Sequence, residues 1–219
     1  DKSMTKLVAD RAGVRQAGWE LVTDAAFAHH PEELLDRLEA HFAYPVFVKP
    51  AGTGSSVGVS KAKDRAALQA ALVEALRFDR KVLVEEFIDG HEVEVAVLGN
   101  DTPVASVCGE IDAGAEFYSY DAKYLSEQSR TLIPACISDE AAEQVRETAV
   151  RVYQAIGCQG LSRVDFFVTY QGDEVVFNEI NTIPGFTSIS MYPKLFEASG
   201  IACTELIDQL LVCAMEADA

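Results

Sequence analysis

Residues 162–181 restrict the fold of this chain more than any other stretch, because they read as two strands around a turn. The apolar runs SRVDFFVTY and EVVFNEIN flank the short sequence Gln171-Gly172-Asp173. A three-residue loop that contains a glycine commonly joins two antiparallel strands. We therefore predict a β-hairpin, with Tyr170 opposite Glu174 next to the turn.

The register of this hairpin decides which side chains share a face of the sheet. Counting outward from the turn predicts four further pairs: Val168 with Val176, Phe167 with Phe177, Asp165 with Glu179, and Arg163 with Asn181. Opposite side chains stand about 5 Å apart on one face, and alternate residues along a strand share a face. The last two pairs therefore form one polar cluster, from which Asn178 points away.

This polar cluster needs a compensating charge, because two carboxylates that face each other repel. Oxygen atoms of Asp, Glu and Asn suit a hard cation such as Mg²⁺. A neighbouring arginine suits a phosphate that shares the metal ion. From the residues alone, a salt-bridged or solvated sheet face is the alternative.

A second polar feature is the glycine-serine stretch within VFVKPAGTGSSVGVSK, residues 46–61. Lys49 ends a predicted strand, and the two glycines after it allow backbone N–H groups to turn towards an anion. Ser55 and Ser56 add hydroxyl donors. The stretch is not a Walker A loop, because no Gly-Lys-Ser/Thr follows. It predicts a flap over phosphate groups, with a plain glycine-rich hairpin as the alternative.

The run VLVEEFIDG places Glu85 and Glu86 after an apolar strand. Backbone groups of such a segment can bind an adenine edge, and an acid can accept a ribose hydroxyl. Taken in isolation, the same run fits an edge strand with solvated acids.

The rest of the chain shows helical and strand patterns in two α+β halves, with the boundary at Asp89-Gly90. The first half predicts helices at 1–18 (broken near Gly13), 30–42 and 65–77, the last capped by Asp64, and strands at 20–23, 45–50, 57–61 and 81–88. The second half predicts strands at 92–99, 103–111 and 131–135, a helix from Ser138 or Asp139 to Gly157, and a helix at 203–216. Residues 112–130 predict a long polar loop.

Charge and cysteine content exclude several protein classes. The chain carries 18 Lys and Arg against 35 Asp and Glu, a net charge of −17, whereas nucleic-acid binding needs a basic face. Its five cysteines include no CxxC, which argues against a disulfide framework or zinc site and favours reduced cytosolic thiols. No apolar run approaches the roughly 20 residues that span a bilayer. We expect neither nucleic acid nor a membrane as a partner, and the opening DKSMTK looks internal to a longer protein.

Six segments occur in an order and spacing that resemble one enzyme family. They are DKSMTK, PVFVKPAGTGSSVGVSK, VLVEEFIDGHEVEVAVLG, EFYSYDAKY, GLSRVDFF and NEINTIPGFTSISMYP. Together they are similar to the D-alanine–D-alanine ligase family of the ATP-grasp superfamily. The resemblance implies an α+β fold with two α+β subdomains and nucleotide bound between them. It assigns residues 1–90 to a small central subdomain with the phosphate flap, and residues 91–219 to a large C-terminal subdomain with a magnesium site and a mobile loop at 112–130.

The resemblance also implies roles for individual residues. ATP would be bound by Lys2, Lys49, Ser55, Ser56, Glu85, Glu86, Phe87, Ile88, Glu92, Lys123, Asn178 and Glu179. The metal ligands would be Asp165, Glu179 and Asn181, holding two Mg²⁺ or Mn²⁺ ions. The catalytic residues would be Arg163, Gly185, Ser55 and Tyr124, and the substrate would contact Arg163, Gly185, Ser190 and Met191.

The implied reaction joins two D-alanine molecules at the expense of ATP, for peptidoglycan precursors. The γ-phosphoryl group passes to the first carboxylate, and the amine of the second amino acid attacks the acyl phosphate. The family normally has a further N-terminal α/β domain of roughly one hundred residues, and the resemblance implies that the present sequence does not include it. The resemblance therefore implies the ATP- and Mg²⁺-binding portion of a cytoplasmic, homodimeric enzyme, inactive by itself.

Two alternatives stay open at this point. D-alanine–D-serine ligases of vancomycin resistance share nearly all of these motifs. Tyr124 within DAKY favours an amine nucleophile, hence a dipeptide product, but it does not separate D-alanine from D-serine. The second alternative is not an enzyme but a non-catalytic nucleotide-binding module. The short length of the chain is the reason to consider it.

Overall fold

The computed structural model describes residues 1–112 and 130–217. Their contacts divide them into two compact units, named here the small unit and the large unit. The small unit contains residues 1–6 and 17–88, and the large unit contains residues 7–16, 89–112 and 130–217. The α+β fold class is confirmed, whereas the assignment of folding domains on either side of residue 90 stays a prediction.

The small unit is built on a four-stranded antiparallel sheet with the order β1-β4-β2-β3. Its elements are α1 (Lys2–Arg11, from Leu7 on counted with the large unit), β1 (Trp19–Thr23), α2 (Asp24–His29), α3 (Pro31–His41), β2 (Val46–Pro50), β3 (Ser60–Ala62), α4 (Arg65–Ala75) and β4 (Lys81–Glu86). Leu38 of α3 and Leu72 of α4 pack in one core with Val48 of β2. Because side chains alternate along a strand, Phe47 and Lys49 point to the opposite face.

The helix ends follow local sequence signals. Asp64 caps α4 as predicted, because its Oδ1 accepts a hydrogen bond from the backbone N–H of Ala67 at 2.8 Å. The helix predicted over residues 1–18 ends at Arg11, so its predicted break near Gly13 is confirmed and the helix predicted beyond it is wrong. Gly13 adopts a left-handed φ of +68° there, and left-handed glycines commonly end helices.

The predicted returning strand at 57–61 is wrong in its first part. The backbone N–H groups of Val57 and Val59 bond back to Gly54 and Ser56, so this segment forms turns. Pairing with β2 begins only at Ser60. The glycine-serine stretch is therefore a longer loop than the sequence predicted.

The large unit is built on a second antiparallel sheet, with the order β10-β9-β5-β7-β8 and β6 paired to β5. Its further elements are β5 (Gly90–Leu98), β6 (Val104–Ala105), β7 (Gly109–Asp112), β8 (Arg130–Leu132), α5 (Asp139–Ile156), β9 (Leu161–Thr169), β10 (Val175–Asn181), α6 (Met191–Ala198) and α7 (Cys203–Ala217). One core joins α5 to Val95 and Phe166. The other joins α6 and α7 to Ala96 and Leu98, so the sheet has helices on both faces.

Several predicted elements of the large unit need correction. The single strand expected at 103–111 is two strands, β6 and β7. The strand expected at 131–135 ends at Leu132, and Asp112 and Arg130 belong to paired strands rather than to the loop. Helices α2 and α6 were not predicted.

The hairpin of β9 and β10 forms, but half of its predicted register is wrong. Val168 pairs with Val175 and Phe167 with Val176, one residue away from the prediction, because Thr169 rather than Tyr170 lies opposite Glu174. The register then shifts between Phe177 and Glu179. This β-bulge at Asn178 restores the two predicted polar pairs, Asp165 with Glu179 and Arg163 with Asn181.

The outer edge of β10 is partly covered by a segment that precedes β1. Phe177 donates its backbone N–H to the carbonyl of Arg15 at 2.8 Å, and Gln16 forms a parallel bridge with Phe177. This contact lies beside the bulge. It satisfies backbone groups that an edge strand would otherwise expose.

Gly90 provides a test of the pairing between β5 and β9. A Cβ atom at Gly90 would lie 2.4 Å from the carbonyl oxygen of Val168, so the strands would have to separate. We expect Gly90→Ala to lower the free energy of unfolding by about 1–3 kcal/mol, the range of overpacking costs. Urea unfolding followed by circular dichroism measures it. Gly54→Ala is the control, since its Cβ would meet nothing within 4 Å; equal stability of both variants would contradict the prediction.

Two further features concern the cysteines and the length of the helices. All five cysteines are free, and burial raises the pKa of the Cys108 thiol to about 12. Among the described residues, no single helix is long and apolar enough to cross a membrane. Only α6 and α7 taken together meet that criterion, as a pair bent by 107°.

Candidate functional site

Three carboxylates lie in one row across the sheet of the large unit. Glu94 of β5 is opposite Asp165 of β9, and Asp165 is opposite Glu179 of β10. The next row contains Arg163, with Asn181 on one side. Directly opposite residues of antiparallel strands share a face, so the sheet itself gathers these five side chains.

Arg163 is the cation at the centre of this cluster. Its Nε and Nη2 donate to Oδ1 and Oδ2 of Asp165 at 2.7 and 2.8 Å, and its Nε lies 3.2 Å from Oε2 of Glu94. Burial alone would lower the pKa of Arg163, but the charges of Asp165, Glu94 and Glu179 outweigh it and raise the pKa. The guanidinium is therefore permanently charged and held in a fixed plane.

The predicted metal ligands lie together and have suitable donor atoms. Asp165 and Glu179 supply carboxylate oxygens. Asn181 donates a hydrogen bond from its Nδ2 to Asp165 at 3.0 Å, and this bond does not use the amide oxygen of Asn181. Among residues 1–112 and 130–217, no three His, Cys, Asp or Glu side chains are grouped so as to hold a metal ion. The predicted set has two carboxylates and one amide, a donor set that fits Mg²⁺. A cation bound by Asp165 would compete with Arg163 for the charge of this carboxylate.

The predicted substrate residues are close to one another at the start of α6. A Cβ atom at Gly185 would lie 2.8 Å from Oγ of Ser190, so a larger residue here would displace this hydroxyl. Oγ of Ser190 also accepts the backbone N–H of Thr187 at 3.1 Å. The side chain of Met191 is buried in the core around α6, so a substrate contact at this position is left to its backbone.

In the small unit, Glu85 is enclosed by two lysines. Its Oε2 lies 2.8 Å from Nζ of Lys49 and its Oε1 lies 3.2 Å from Nζ of Lys6. Glu85 is 3% exposed and Lys6 is 2% exposed. Burial favours the neutral acid, but the charges of Lys49 and Lys6 hold the pKa of Glu85 below its ordinary value.

The position of β4 explains this burial. Glu85 is paired with Trp19 of β1 on one side and with Phe47 of β2 on the other. The interpretation as an edge strand with solvated acids is therefore wrong. Glu86 also acts within the small unit, because its Oε1 accepts the backbone N–H of Gly18 at 2.7 Å.

The glycine-serine loop has the backbone of a strained turn. Ser55 and Ser56 have φ values of +53° and +58°, a left-handed conformation that is uncommon outside glycine and often found at functional sites. Nζ of Lys2 donates to the carbonyl of Thr53 at 2.6 Å. The predicted lysine and the predicted flap are thus in direct contact.

Aromatic and cationic groups meet on the sheet face that carries Lys49. Nζ of Lys61 lies 3.9 Å from the ring centroid of Phe87, and the rings of Phe87 and Phe47 are 6.2 Å apart. Such cation–π contacts combine an apolar ring with a retained positive charge. The face is suited to a flat, partly anionic ligand.

The remaining predicted residues differ in how far the structure describes them. Lys123 and Tyr124 lie outside the described residues. Ile88 follows β4, Asn178 forms the bulge of β10, and Glu92 lies on β5 opposite Phe167. The assigned roles of all predicted site residues stay predictions.

Sequence reasoning missed two residues of these clusters, Lys6 and Glu94. The alternation in EVEVAVLG places Glu94 on the same face as Glu92, but it does not place Glu94 beside Arg163. No local signal marks Lys6, whose partner Glu85 is distant in the chain.

Comparison with known proteins gives a consistent result over almost the whole chain. A family profile described as "D-ala D-ala ligase C-terminus" matches residues 8–212. The chain is 53% identical over 216 residues to a D-alanine–D-alanine ligase of Acetivibrio thermocellus, covering 99% of this chain and 57% of that protein. A D-alanine–D-alanine ligase of Chlorobium limicola is also 53% identical, with 60% of its length covered.

Solved structures agree with the sequence relatives. The D-alanine–D-alanine ligase of Coxiella burnetii has a TM-score of 0.85 and 36% identity, over 99% of this chain and 56% of that one. The VanG D-Ala:D-Ser ligase of Enterococcus faecalis has a TM-score of 0.87 and 38% identity, over 97% of this chain and 61% of that one.

The chain thus spans roughly 60% of the length of the proteins it matches. The match over residues 8–212 is to the C-terminal part of one ligase family. The chain belongs to the D-alanine–D-alanine ligase family, and it has the ATP-grasp fold of that family's C-terminal region.

Proposed function

We propose that the protein containing this chain is an ATP-dependent ligase that joins two D-alanine molecules through an acyl phosphate. The observation that carries the proposal is the fixed guanidinium of Arg163, which donates to both oxygens of Asp165, a carboxylate that also accepts a hydrogen bond from Asn181. Transfer of a phosphoryl group to a carboxylate requires this combination of a bidentate cation and hard oxygen ligands. Membership of the ligase family supports the choice of substrate.

The residues of the small unit would bind the phosphates. Lys49 and Lys2 supply positive charge, and Lys2 is already bonded to the loop at Thr53. The left-handed turn at Ser55 and Ser56 would present hydroxyl and backbone N–H donors to phosphate oxygens. The ion pair with Glu85 orients Lys49, since a buried carboxylate fixes one end of a flexible chain.

The residues of the large unit would stabilise charge during the reaction. Mg²⁺ held by Asp165, Glu179 and Asn181 would neutralise phosphate charge. The Nη atoms of Arg163 would donate to the transferred phosphoryl group, where fixed donors act most strongly. The backbone N–H of Gly185 would donate to the oxyanion that forms when the second amine attacks.

We further propose that the full-length enzyme acts in the cytoplasm, as a homodimer, in peptidoglycan precursor synthesis. Family membership supports these points. The likeness to VanG makes D-serine the alternative second substrate. Product analysis with D-alanine and D-serine in competition decides between them.

The test combines catalysis with nucleotide binding. We expect the full-length protein to form a D-amino acid dipeptide and to bind ATP more tightly with Mg²⁺, as measured by mass spectrometry and calorimetry. Asp165→Ala combined with Glu179→Ala should abolish the effect of Mg²⁺, because both carboxylate ligands are removed. Glu140→Ala with Glu147→Ala removes two exposed acids of α5 and should leave the effect intact. A folded protein that binds no ATP, or a double variant that retains wild-type Mg²⁺ dependence, would exclude the proposal.

A further inference from the structure

We propose that Glu94 is a positioning residue, which holds Arg163 in place while Asp165 turns to a metal ion. The proposal rests on the proposed function, because it concerns the same arginine and the same metal ligand. Glu94 lies outside the residue set expected from the family resemblance. Its role follows from the two demands that the cluster makes on Asp165.

The first demand on Asp165 comes from Arg163. Both carboxylate oxygens accept charge-assisted hydrogen bonds from the guanidinium, at 2.7 and 2.8 Å. The second demand would come from a cation, which needs a lone pair on one of these oxygens. Bidentate arginine–carboxylate pairs are among the stronger hydrogen-bonded contacts. A metal ion on either oxygen withdraws electron density from Asp165, so it weakens the hold of Asp165 on Arg163.

Glu94 offers Arg163 a second carboxylate from the other neighbouring strand. Its Oε2 lies 3.2 Å from Nε, the same atom that donates to Oδ1 of Asp165 at 2.7 Å. When Asp165 withdraws, Nε can donate to Glu94 with little movement of the guanidinium. The Nη atoms can then donate to phosphoryl oxygens, while the guanidinium group stays in the same plane.

The backbone around Glu94 is suited to this role. Glu94 is in the middle of β5, paired with Asp165 on one side and with Gly109 on the other. Its neighbours Val93 and Val95 are 1% and 0% exposed. A side chain anchored on a buried central strand keeps its position better than one on a loop.

The charges of the cluster fit the same role. Among Glu94, Asp165, Glu179 and Arg163, three carboxylates face one guanidinium, an excess of two negative charges. One divalent cation brings the matching charge. Without Glu94, Arg163 binds Asp165 alone, and this contact competes with a metal ion at Asp165.

The test uses Glu94→Ala in the full-length protein, with Glu94→Gln as the rescue variant. We expect Glu94→Ala to raise the Kd for Mn²⁺ about tenfold, a common effect of removing a group behind a metal ligand. Electron paramagnetic resonance of the nucleotide-free protein measures this Kd. We expect kcat to fall about 10- to 100-fold while KM for ATP stays within about twofold. Glu94→Gln keeps an oxygen acceptor of the same length and should recover most of kcat.

Two controls separate positioning from a general structural role. Glu174→Ala removes the exposed carboxylate that pairs with Arg15 at 3.4 Å on the same hairpin, and should change neither quantity. In an Arg163→Ala background, removal of Glu94 should lower kcat no further, because the residue acts through Arg163.

An unchanged Mn²⁺ affinity in Glu94→Ala would overturn the proposal, and so would additive effects of the Glu94 and Arg163 substitutions. A different result would show that the proposed ligase function itself is wrong. A wild-type protein without dipeptide formation refutes the ligase, whereas the Mn²⁺ measurement still decides whether Glu94 supports the Asp165 site.

Discussion

We expect Arg163→Lys to lower the kcat of the proposed full-length ligase by about 10³-fold, within the range that transition-state arginines contribute to phosphoryl transfer. The reason is geometric. Arg163 spans both oxygens of Asp165 through Nε and Nη2, and lysine offers a single charged atom in place of a planar fork. Lysine keeps the charge but cannot hold Asp165 and a phosphoryl oxygen in the same plane.

Steady-state measurement of kcat, and of KM for ATP and D-alanine, checks this expectation. Arg15→Lys is the matched control, because Arg15 is half exposed and lies 3.4 Å from Glu174. It should leave kcat within about twofold, as exposed ion pairs contribute little. A variant at residue 163 that keeps more than about a tenth of wild-type kcat would show that charge alone suffices.

Glu85→Ala is expected to have the largest effect on stability, about 3–5 kcal/mol, which is typical when one partner of a buried ion pair is removed. The substitution takes away the carboxylate that Lys6 and Lys49 share, while Lys6 stays at 2% exposure. Trp19, the only tryptophan of the chain, is opposite Glu85 in the sheet. Urea unfolding of the chain, followed by its fluorescence, therefore reports on the affected region.

The dependence of the free energy of unfolding on acidic pH gives a second measure of how much Glu85 stabilises the fold. Its pKa is lowered in the folded state, from an ordinary value of 4.5, so the stabilisation is present above pH 4.5 and is lost as pH falls through the folded pKa. Glu85→Ala should lack this part of the acid dependence. Glu74→Ala breaks an exposed ion pair with Arg77 and should cost under about 1 kcal/mol. Equal losses in the two variants would refute the buried-pair account.

The hairpin shows how much of the site the sequence could predict. Alternation along the two runs correctly paired Asp165 with Glu179 and Arg163 with Asn181. The apolar half was wrong by one residue, because the loop is longer than its glycine suggested and Asp173 adopts a φ of +51°. The register shifts by one residue at the loop and by one residue in the opposite sense at the bulge. The two shifts cancel, so the polar pairs keep the predicted register.

The residues that escaped prediction depend on contacts between distant parts of the chain. Lys6 reads as an ordinary polar residue of α1, and only the central position of β4 buries it against Glu85. Glu94 reads as a solvated residue of an alternating strand. Its meeting with Arg163 depends on the register between β5 and β9, which no local pattern encodes.

The bulge at Asn178 has a consequence for how this family can diverge. It separates the hairpin into a loop-side half and a site-side half, each with its own register. Residues gained or lost in the exposed loop 170–174 are absorbed on the loop side and leave Glu179 where it is. One residue inserted after Asn178 would move Glu179 to the opposite face of the sheet. We therefore expect changes of length to be tolerated at the tip of the hairpin and to displace the site when they occur a few residues further on.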